Sequence, residues 1–198
     1  MTEQYHLDVL RQGIDVWNQW RQEHHSIQPD FSGMDFRGAQ LSRVDLSGAR
    51  LNGADLSRAD LKESLLIRAD LSGAILSGVN LVSADLQGAN LRATILSNAN
   101  LSDAILSNAN LSDADLSGAI LTGAEVTGTN FSGVNFSEAD LSGIDFSQAN
   151  IHGARLGKAY FSRRSHIPPE QRQQGNQRVG IDAEDLDERV HEDWANDE

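Results

Sequence analysis

Every fifth residue from Phe31 to Phe161 is apolar, over 27 consecutive positions of this kind. This strict period is the feature that most constrains the fold, because it identifies the chain as an array of short repeats. The position is mostly Leu, as at Leu41 and Leu56, although only 39% of the whole chain is hydrophobic. A helix requires apolar residues three and four apart, and a strand requires alternation. The chain is therefore expected to turn a corner every five residues.

A second and smaller apolar slot lies two residues before each large one. It is mostly Ala, as at Ala69 and Ala99, and Asp or Asn usually separates the two slots. Ser and then often Gly follow the large residue, as at Ser72 and Gly73. Four such corners close a square coil, in which large side chains fill the centre and small ones fit beside the corners. Gly, Asn and Asp tolerate the positive φ that tight turns require.

The repeated unit resembles the A-(D/N)-L-x-x motif of the pentapeptide-repeat family, as in Ala54-Asp55-Leu56 and Ala89-Asn90-Leu91. The resemblance covers residues 29–163 and implies an all-β solenoid, a right-handed quadrilateral β-helix. At about 4.8 Å per stacked strand, about seven coils give a rod about 32 Å long. Ordering five backbone residues costs about 5–10 kcal/mol, whereas burying one Leu returns about 1.5–3 kcal/mol. One repeat therefore cannot fold alone, and stacking stabilises the array.

The residues before the array predict a cap, because a β-helix exposes its core and an unpaired edge at each end. Residues 5–25 place apolar side chains at helical spacing, while Gly13 weakens the helix and Pro29 ends it. Segment 13–21 also resembles the leader that precedes many cyanobacterial pentapeptide-repeat arrays. We expect residues 1–28 to form an N-terminal capping helix, with a partner-docking helix as the alternative. The apolar positions at this spacing are Leu7, Leu10, Ile14 and Trp17.

The chain after the array is acidic. Residues 164–198 contain ten acids and four bases, and Pro168 and Pro169 interrupt the chain near their start. This composition is typical of a disordered, solubilising tail. The alternative is a short helix over 182–194 that serves as a second cap or as a docking peptide.

Composition excludes several classes of protein. The chain of 198 residues has no Cys, so disulfides and thiolate chemistry are absent. A net charge of -13 opposes direct nucleic-acid binding. No run of about 18 apolar residues predicts a membrane span, and the start of the chain lacks the apolar core of a signal peptide. We expect a cytoplasmic protein.

No catalytic, cofactor or metal site emerges from the sequence. The six His residues lack zinc-ligand spacing, and the Gly residues are explained by turns rather than by a phosphate loop. Ser recurs in one structural slot, and nothing indicates a Ser-His-Asp arrangement. A non-enzymatic protein without a cofactor is the interpretation that remains.

The outward slot between Ala and Leu is apolar at a few repeats, which predicts a contact surface for an unidentified protein partner. Ile75 and Ile95 are 20 residues apart and should be stacked neighbours, whereas Leu65 and Ile105 should lie on the opposite face. Residues 95–104 and 105–114 are identical, so Ile105 is also explained as a copy of Ile95. Simple stacking between coils is the alternative explanation. The apolar outward positions are Leu65, Ile75, Ile95, Ile105 and Ile120.

A second candidate surface is acidic. Residues 93–154 contain seven acids and no Lys or Arg, which gives about one charge per 2 Å, close to the 1.7 Å of duplex DNA. Some members of the resembled family mimic DNA and inhibit DNA gyrase. Residues 29–92 carry eight acids and seven bases, which weakens the match over the whole rod. A protein-binding scaffold or regulator is therefore favoured, with gyrase inhibition as the alternative. The acids are Asp103, Asp113, Asp115, Glu125, Glu138, Asp140 and Asp145.

Overall fold

The computed structural model describes residues 3–168. Two helices, α1 (Glu3–Leu10) and α2 (Ile14–Glu23), precede a solenoid whose parallel bridges run from Asp30 to His166. The solenoid is a right-handed quadrilateral β-helix, which confirms the predicted fold class. Each side of a coil contributes one bridging residue rather than a longer strand, and nearly every bridge joins residues 20 apart.

The solenoid has four faces, which we number in chain order. Face 1 starts at Asp30, face 2 at Asp35, face 3 at Gln40 and face 4 at Asp45, and each continues in steps of 20 residues. The ladder bonds are short: the N–H of Leu56 donates to the C=O of Ile75 at 2.7 Å, and the N–H of Ile75 donates to the C=O of Ala54 at 2.9 Å. Faces 2 and 4 are opposite, as are faces 1 and 3.

The core is a stack of the large-slot residues, which are fully buried along most of the rod, as at Leu76 and Leu96. Ala residues beside the corners are buried as well. Two Thr residues in the same small slot are satisfied by carbonyls: Thr94 Oγ1 donates to Leu91 at 2.8 Å, and Thr129 Oγ1 donates to Leu106 at 2.7 Å. Buried hydroxyls are tolerated in this core because they reach the main chain.

The corner residue, two after the large slot, has a positive φ at 13 glycines and at 12 other residues. This confirms the predicted need for left-handed backbone at the corners. Residues that sequence reasoning did not expect there also adopt it, including Arg43 at φ 62° and Lys158 at φ 58°. The cost, about 1–2 kcal/mol per residue, is accepted because the ladder and core fix the corner.

The Asp or Asn slot has a local purpose that the sequence did not reveal. Its Oδ1 accepts the N–H of the residue two positions on, as between Asp55 and Ser57 at 3.0 Å. These Asx turns hold the chain at the start of each corner. Amides also bond along face 1, where Asn150 Nδ2 donates to Asn130 Oδ1 at 3.0 Å and Asn130 Nδ2 donates to Asn110 Oδ1 at 3.2 Å.

The predicted single capping helix is instead two helices. Gly13 has φ 122° and ψ 161°, which is not helical, so the chain breaks there and α2 begins at Ile14. The break lets both helices lie against the first coil. Trp17 is fully buried, stacks on Trp20 at 5.1 Å between ring centroids, and lies 5.5 Å from the ring of Phe31.

Neither α1 nor α2 has the length and apolar character needed to cross a membrane, and residues 3–168 contain no other helix. The predicted tail, 164–198, lies outside the described residues apart from its first five. The ladder continues past Phe161 to His166, which pairs with Asp145.

Candidate functional site

Ile75 and Ile95 form a parallel bridge on face 2, and their side chains project from the rod side by side. They are 36% and 42% exposed. Ser77 and Ser97 stack beside them with their hydroxyls 3.1 Å apart. We call these four residues the face 2 patch. It spans two consecutive coils and contains no charge.

The corners on either side keep the face 2 patch flat and open. Gly73 and Ala93 precede the two Ile residues, and Gly78 and Asn98 follow them. None of these corner residues carries a long side chain that would cover the Ile pair. Along the rod the ladder runs from Ile75 back to Asp55 and from Ile95 on to Asp115. The patch is thus an apolar surface with one carboxylate at each end.

The two Ile residues have a local cost. At most repeats an Asp or Asn in this slot accepts the N–H two residues on, but Ile has no acceptor. The N–H groups of Ser77 and Ser97 consequently have no protein acceptor within residues 3–168. A hydrogen bond of this kind contributes about 0.5–1.5 kcal/mol. Exposed Ile at positions 75 and 95 is therefore not explained by the local requirements of the fold.

Face 4 does not form a comparable surface. Leu65 is 41% exposed, whereas Ile105 is only half-exposed, and Asp85 lies between them in the ladder. Charged corner residues, Glu63 and Arg68, flank Leu65. The structure thus brings Ile75 and Ile95 together but keeps Leu65 and Ile105 apart from each other and from that pair.

Ile120 is a separate exposed apolar residue on face 3. It is 40% exposed and lies between Asn100 and Asp140 in the ladder. Tyr160, 55% exposed, follows Asp140 on the same face. Because polar residues separate these side chains, face 3 has no continuous apolar surface.

The seven predicted acids are spread around the rod rather than aligned. Two of them form ion pairs with bases outside 93–154: Arg92 lies 3.8 Å from Asp113, and Lys158 lies 4.0 Å from Glu138. Face 1 carries none of the seven. Asp115 lies on face 2, Asp140 on face 3, Glu125 and Asp145 on face 4, and Asp103, Asp113 and Glu138 at corners.

Comparison with known sequences decides the family. The chain matches the family described as pentapeptide repeats in eight copies, over residues 28–53, 54–92, 84–123, 94–133 and 129–163. These matches cover most of the chain and the whole solenoid. The chain is a pentapeptide-repeat protein. No curated protein matches it.

Solved structures similar to this pentapeptide-repeat protein share its fold. A pentapeptide repeat protein, Rfr23, from the cyanobacterium Cyanothece 51142 is 25% identical, with a TM-score of 0.52 over 76% of this chain and 97% of that one. A pentapeptide repeat protein from Nostoc PCC 7120, alr5209, is 35% identical, with a TM-score of 0.44 over 45% and 74%. QnrB1, a plasmid-mediated fluoroquinolone resistance protein, is 24% identical, with a TM-score of 0.40 over 73% and 84%.

The ladder of this pentapeptide-repeat protein opens at one place on face 4. Glu125 does not bridge to Asp145, which pairs instead with His166, 21 residues on. Bulk in the core accounts for the opening, because Ile144 replaces the usual Ala and Phe146 the usual Leu. A cavity of about 260 Å³ results, and Glu125 and Asp145 both line it. The N–H and hydroxyl of Ser147 lower the pKa of the Asp145 carboxyl.

Within residues 3–168, this pentapeptide-repeat protein has no group of three or more His, Asp or Glu side chains arranged to hold a metal ion. His6, the one buried His in that range, lies under α2 with its Nδ1 3.4 Å from the N–H of Asp30. Burial is the main cause that lowers the pKa of His6. The site with a distinctive surface is therefore the face 2 patch.

Proposed function

We propose that this pentapeptide-repeat protein is a non-enzymatic scaffold or regulator that binds a protein partner through the face 2 patch. The observation that supports this is the adjacent pair of exposed residues, Ile75 and Ile95, in uncharged surroundings. Both positions forgo the Asx hydrogen bond that the fold uses elsewhere, so their apolar character needs another explanation. A contact surface that excludes water provides one.

The geometry specifies the kind of surface that fits. The patch is flat, so its partner presents a flat or gently convex apolar surface rather than a deep pocket. Asp55 and Asp115 lie at its two ends, and the whole chain has a net charge of -13. Basic residues at the rim of the partner's surface would therefore increase the association rate and set its orientation. We place this interaction in the cytoplasm, in keeping with a chain that has no Cys.

Mimicry of DNA is the second candidate function, with DNA gyrase or another type II topoisomerase as the target. Its support is the segment 93–154, which contains seven acids and no Lys or Arg. The ion pairs at Asp113 and Glu138, and the spread of the acids over three faces, give it less support than the face 2 patch has. A supercoiling assay separates the two functions, because only a DNA mimic inhibits gyrase and loses inhibition when the acids of 93–154 become amides.

Affinity capture from a native lysate tests the proposed function. The double variant Ile75→Asp/Ile95→Asp removes the patch while restoring an acceptor for the N–H groups of Ser77 and Ser97. The matched control is Leu65→Asp/Ile105→Asp, which makes the same changes in the same slot on the opposite face. Circular dichroism verifies that both variants fold.

We expect one set of proteins to be retained by wild type and by the face 4 control and lost by the face 2 variant. Capture of the same proteins by all three chains would contradict the proposal. Loss from the face 4 control alone would assign the contact to Leu65 and Ile105 instead.

A further inference from the structure

The cap replaces a preceding coil completely on face 4. Within the solenoid, a coil offers the previous one three main-chain groups per face: the N–H and C=O of the bridging residue and the C=O two residues on. At the first coil of face 4, all three bond to α2. Asn18 Oδ1 accepts from the N–H of Asp45 at 2.8 Å, Trp17 Nε1 donates to the C=O of Asp45 at 2.7 Å, and Arg21 donates to the C=O of Ser47 at 2.8 Å.

The same groups on faces 2 and 3 are open. The N–H and C=O of Asp35 and of Gln40 have no partner within residues 3–168, and neither do the carbonyls of Arg37 and Ser42. Both Asp35 and Gln40 are exposed. This first-coil edge, residues 34–42, is therefore an unpaired parallel edge next to a cap that protects the opposite side of the rod.

An apolar groove lies beside this edge. α1 covers the core but leaves a space of about 380 Å³ between itself and the first coil. That volume lies within the usual range for ligand pockets, about 300–1,000 Å³. Arg11 and Asp35 supply the polar part of its wall. The apolar lining consists of Leu7, Leu10, Met34, Phe36, Ala39 and Leu41.

The cap decides what kind of occupant fits. A second copy of the rod cannot stack on this end, because α1 and α2 lie across the core and Phe31 and Trp17 are already buried beneath or within them. A single extended segment does not meet this obstacle. It needs only the open edge for its main chain and the groove for one apolar side chain.

We infer that the first-coil edge on face 2 accepts an extended peptide of a protein partner as an added parallel strand. The peptide accepts a hydrogen bond from the N–H of Asp35, donates one to the C=O of Asp35, and places an apolar side chain in the groove. The inference rests on the open edge and the groove, and it does not depend on the role of the face 2 patch.

Charge and position favour face 2 over face 3. Arg37 alone serves two stacked carboxylates, at 2.6 Å from Asp35 and 3.8 Å from Asp55. A Lys or Arg at the paired position of the peptide adds the missing positive charge, since opposite charges across a ladder are favourable. Face 2 also carries Ile75, two ladder steps or about 10 Å away, so one partner can contact both surfaces.

The test uses a phage-displayed library of random twelve-residue peptides, panned against the full chain. The affinity of a selected peptide is then measured by fluorescence polarisation. Asp35→Pro removes an N–H that has no partner in the protein, and Asp35→Ala is its matched control, because both lack the carboxylate and only Pro lacks the N–H. Met34→Glu places a charge in the groove and leaves the edge intact. Circular dichroism and thermal unfolding verify that each variant folds.

We expect the library to yield peptides with an apolar residue next to a basic one. Such a peptide should bind Asp35→Pro about fivefold more weakly than Asp35→Ala, the loss of one hydrogen bond. It should bind Met34→Glu at least about tenfold more weakly than wild type. Equal affinity for the Pro and Ala variants, an unaffected Met34→Glu variant, or a library that yields no binder would overturn the inference. Displacement by a synthetic peptide of residues 169–198 would assign the edge to the chain itself and overturn it also.

Discussion

Asp103 lies over Gly123 of the following coil, and its Oδ1 occupies the space that a Cβ at residue 123 would fill. The side chain at a corner of one coil therefore determines which residue the next coil can carry at that corner. Three further pairs show this relation, with the oxygen 2.5–2.8 Å from the ideal Cβ position: Asn98 with Gly118, Asn108 with Gly128, and Asp113 with Gly133.

Gly123→Ala is expected to lower the free energy of unfolding by about 2–4 kcal/mol, because positive φ costs about 1–2 kcal/mol and the clash with Asp103 adds a comparable amount. Gly53→Ala is the control, since Gly53 has φ 68° but open space around it, and it should cost only the first part. Urea unfolding measures both. In an Asp103→Gly background, Gly123→Ala should cost no more than Gly53→Ala. Equal costs in all three cases would show that Asp103 does not restrict residue 123.

Ile95→Asn is expected to leave the free energy of unfolding unchanged or raise it by up to about 1 kcal/mol. The new Oδ1 can accept the N–H of Ser97, as Asn100 Oδ1 does for Ser102 at 3.0 Å. If stacking of Ile75 on Ile95 stabilised the rod, the same change would lower it instead. Urea unfolding of Ile95→Asn and Ile75→Asn separates these explanations. A loss above about 1 kcal/mol would favour stacking over a binding role.

Asn18→Ala is expected to loosen the first coil on face 4. Asn18 accepts the N–H of Asp45 at 2.8 Å and donates to the C=O of Arg43 at 2.9 Å, yet its side chain is exposed, so little packing is lost. Ala also favours the helix. Native-state hydrogen exchange should show faster exchange at the Asp45 amide. The Leu65 amide, bonded to Val44 one coil further in, is the internal reference. Unchanged exchange at Asp45 would mean that the cap does not protect this edge.

Stability is expected to fall between about pH 4 and pH 2. Hydrogen bonding to Arg37 lowers the pKa of Asp35 from 3.8 to about 2, and the Ser42 hydroxyl, 2.6 Å from Oδ2, is the main cause that lowers the pKa of Asp60. Because these pKa values lie below those of the unfolded chain, the ionised carboxylates stabilise the fold above about pH 4, and this contribution is lost as the pH falls through the folded values.

The measurement for this pH dependence is the urea midpoint from pH 7 to pH 2. Asp60→Asn keeps an acceptor for the N–H of Lys62 but cannot titrate, so its profile should be flatter than that of wild type. An identical profile would show that Asp60 does not contribute to the acid sensitivity.

The period of five was sufficient to predict the solenoid, the faces and the pairing of residues 20 apart, because one apolar slot in five permits a single way of closing a core. The break at Gly13 was not predicted, since helical spacing continues across it and only packing against the first coil favours two helices. The opening on face 4 depends on the summed bulk of Ile144 and Phe146 with their neighbours, which no single repeat reveals.

The candidate site was predictable only in part. Sequence spacing placed Ile75 beside Ile95, but their flat, uncharged surroundings depend on corner residues of neighbouring coils. The cost of these Ile residues became visible only with the Asx hydrogen bonds in place. The open edge at Asp35 was not predictable, because it depends on which main-chain groups α1 and α2 leave unbonded.

Site-specific photocrosslinking tests the central claim, that face 2 contacts a protein partner, most directly. A p-benzoylphenylalanine is placed at Ser77, within the face 2 patch, or at Ser107, in the equivalent slot of face 4, and each chain is irradiated in native lysate. We predict a discrete crosslinked protein from position 77 that is absent from position 107 and is lost when Ile95→Asp is added. Crosslinks of equal yield from both positions, or from position 107 alone, would contradict the account.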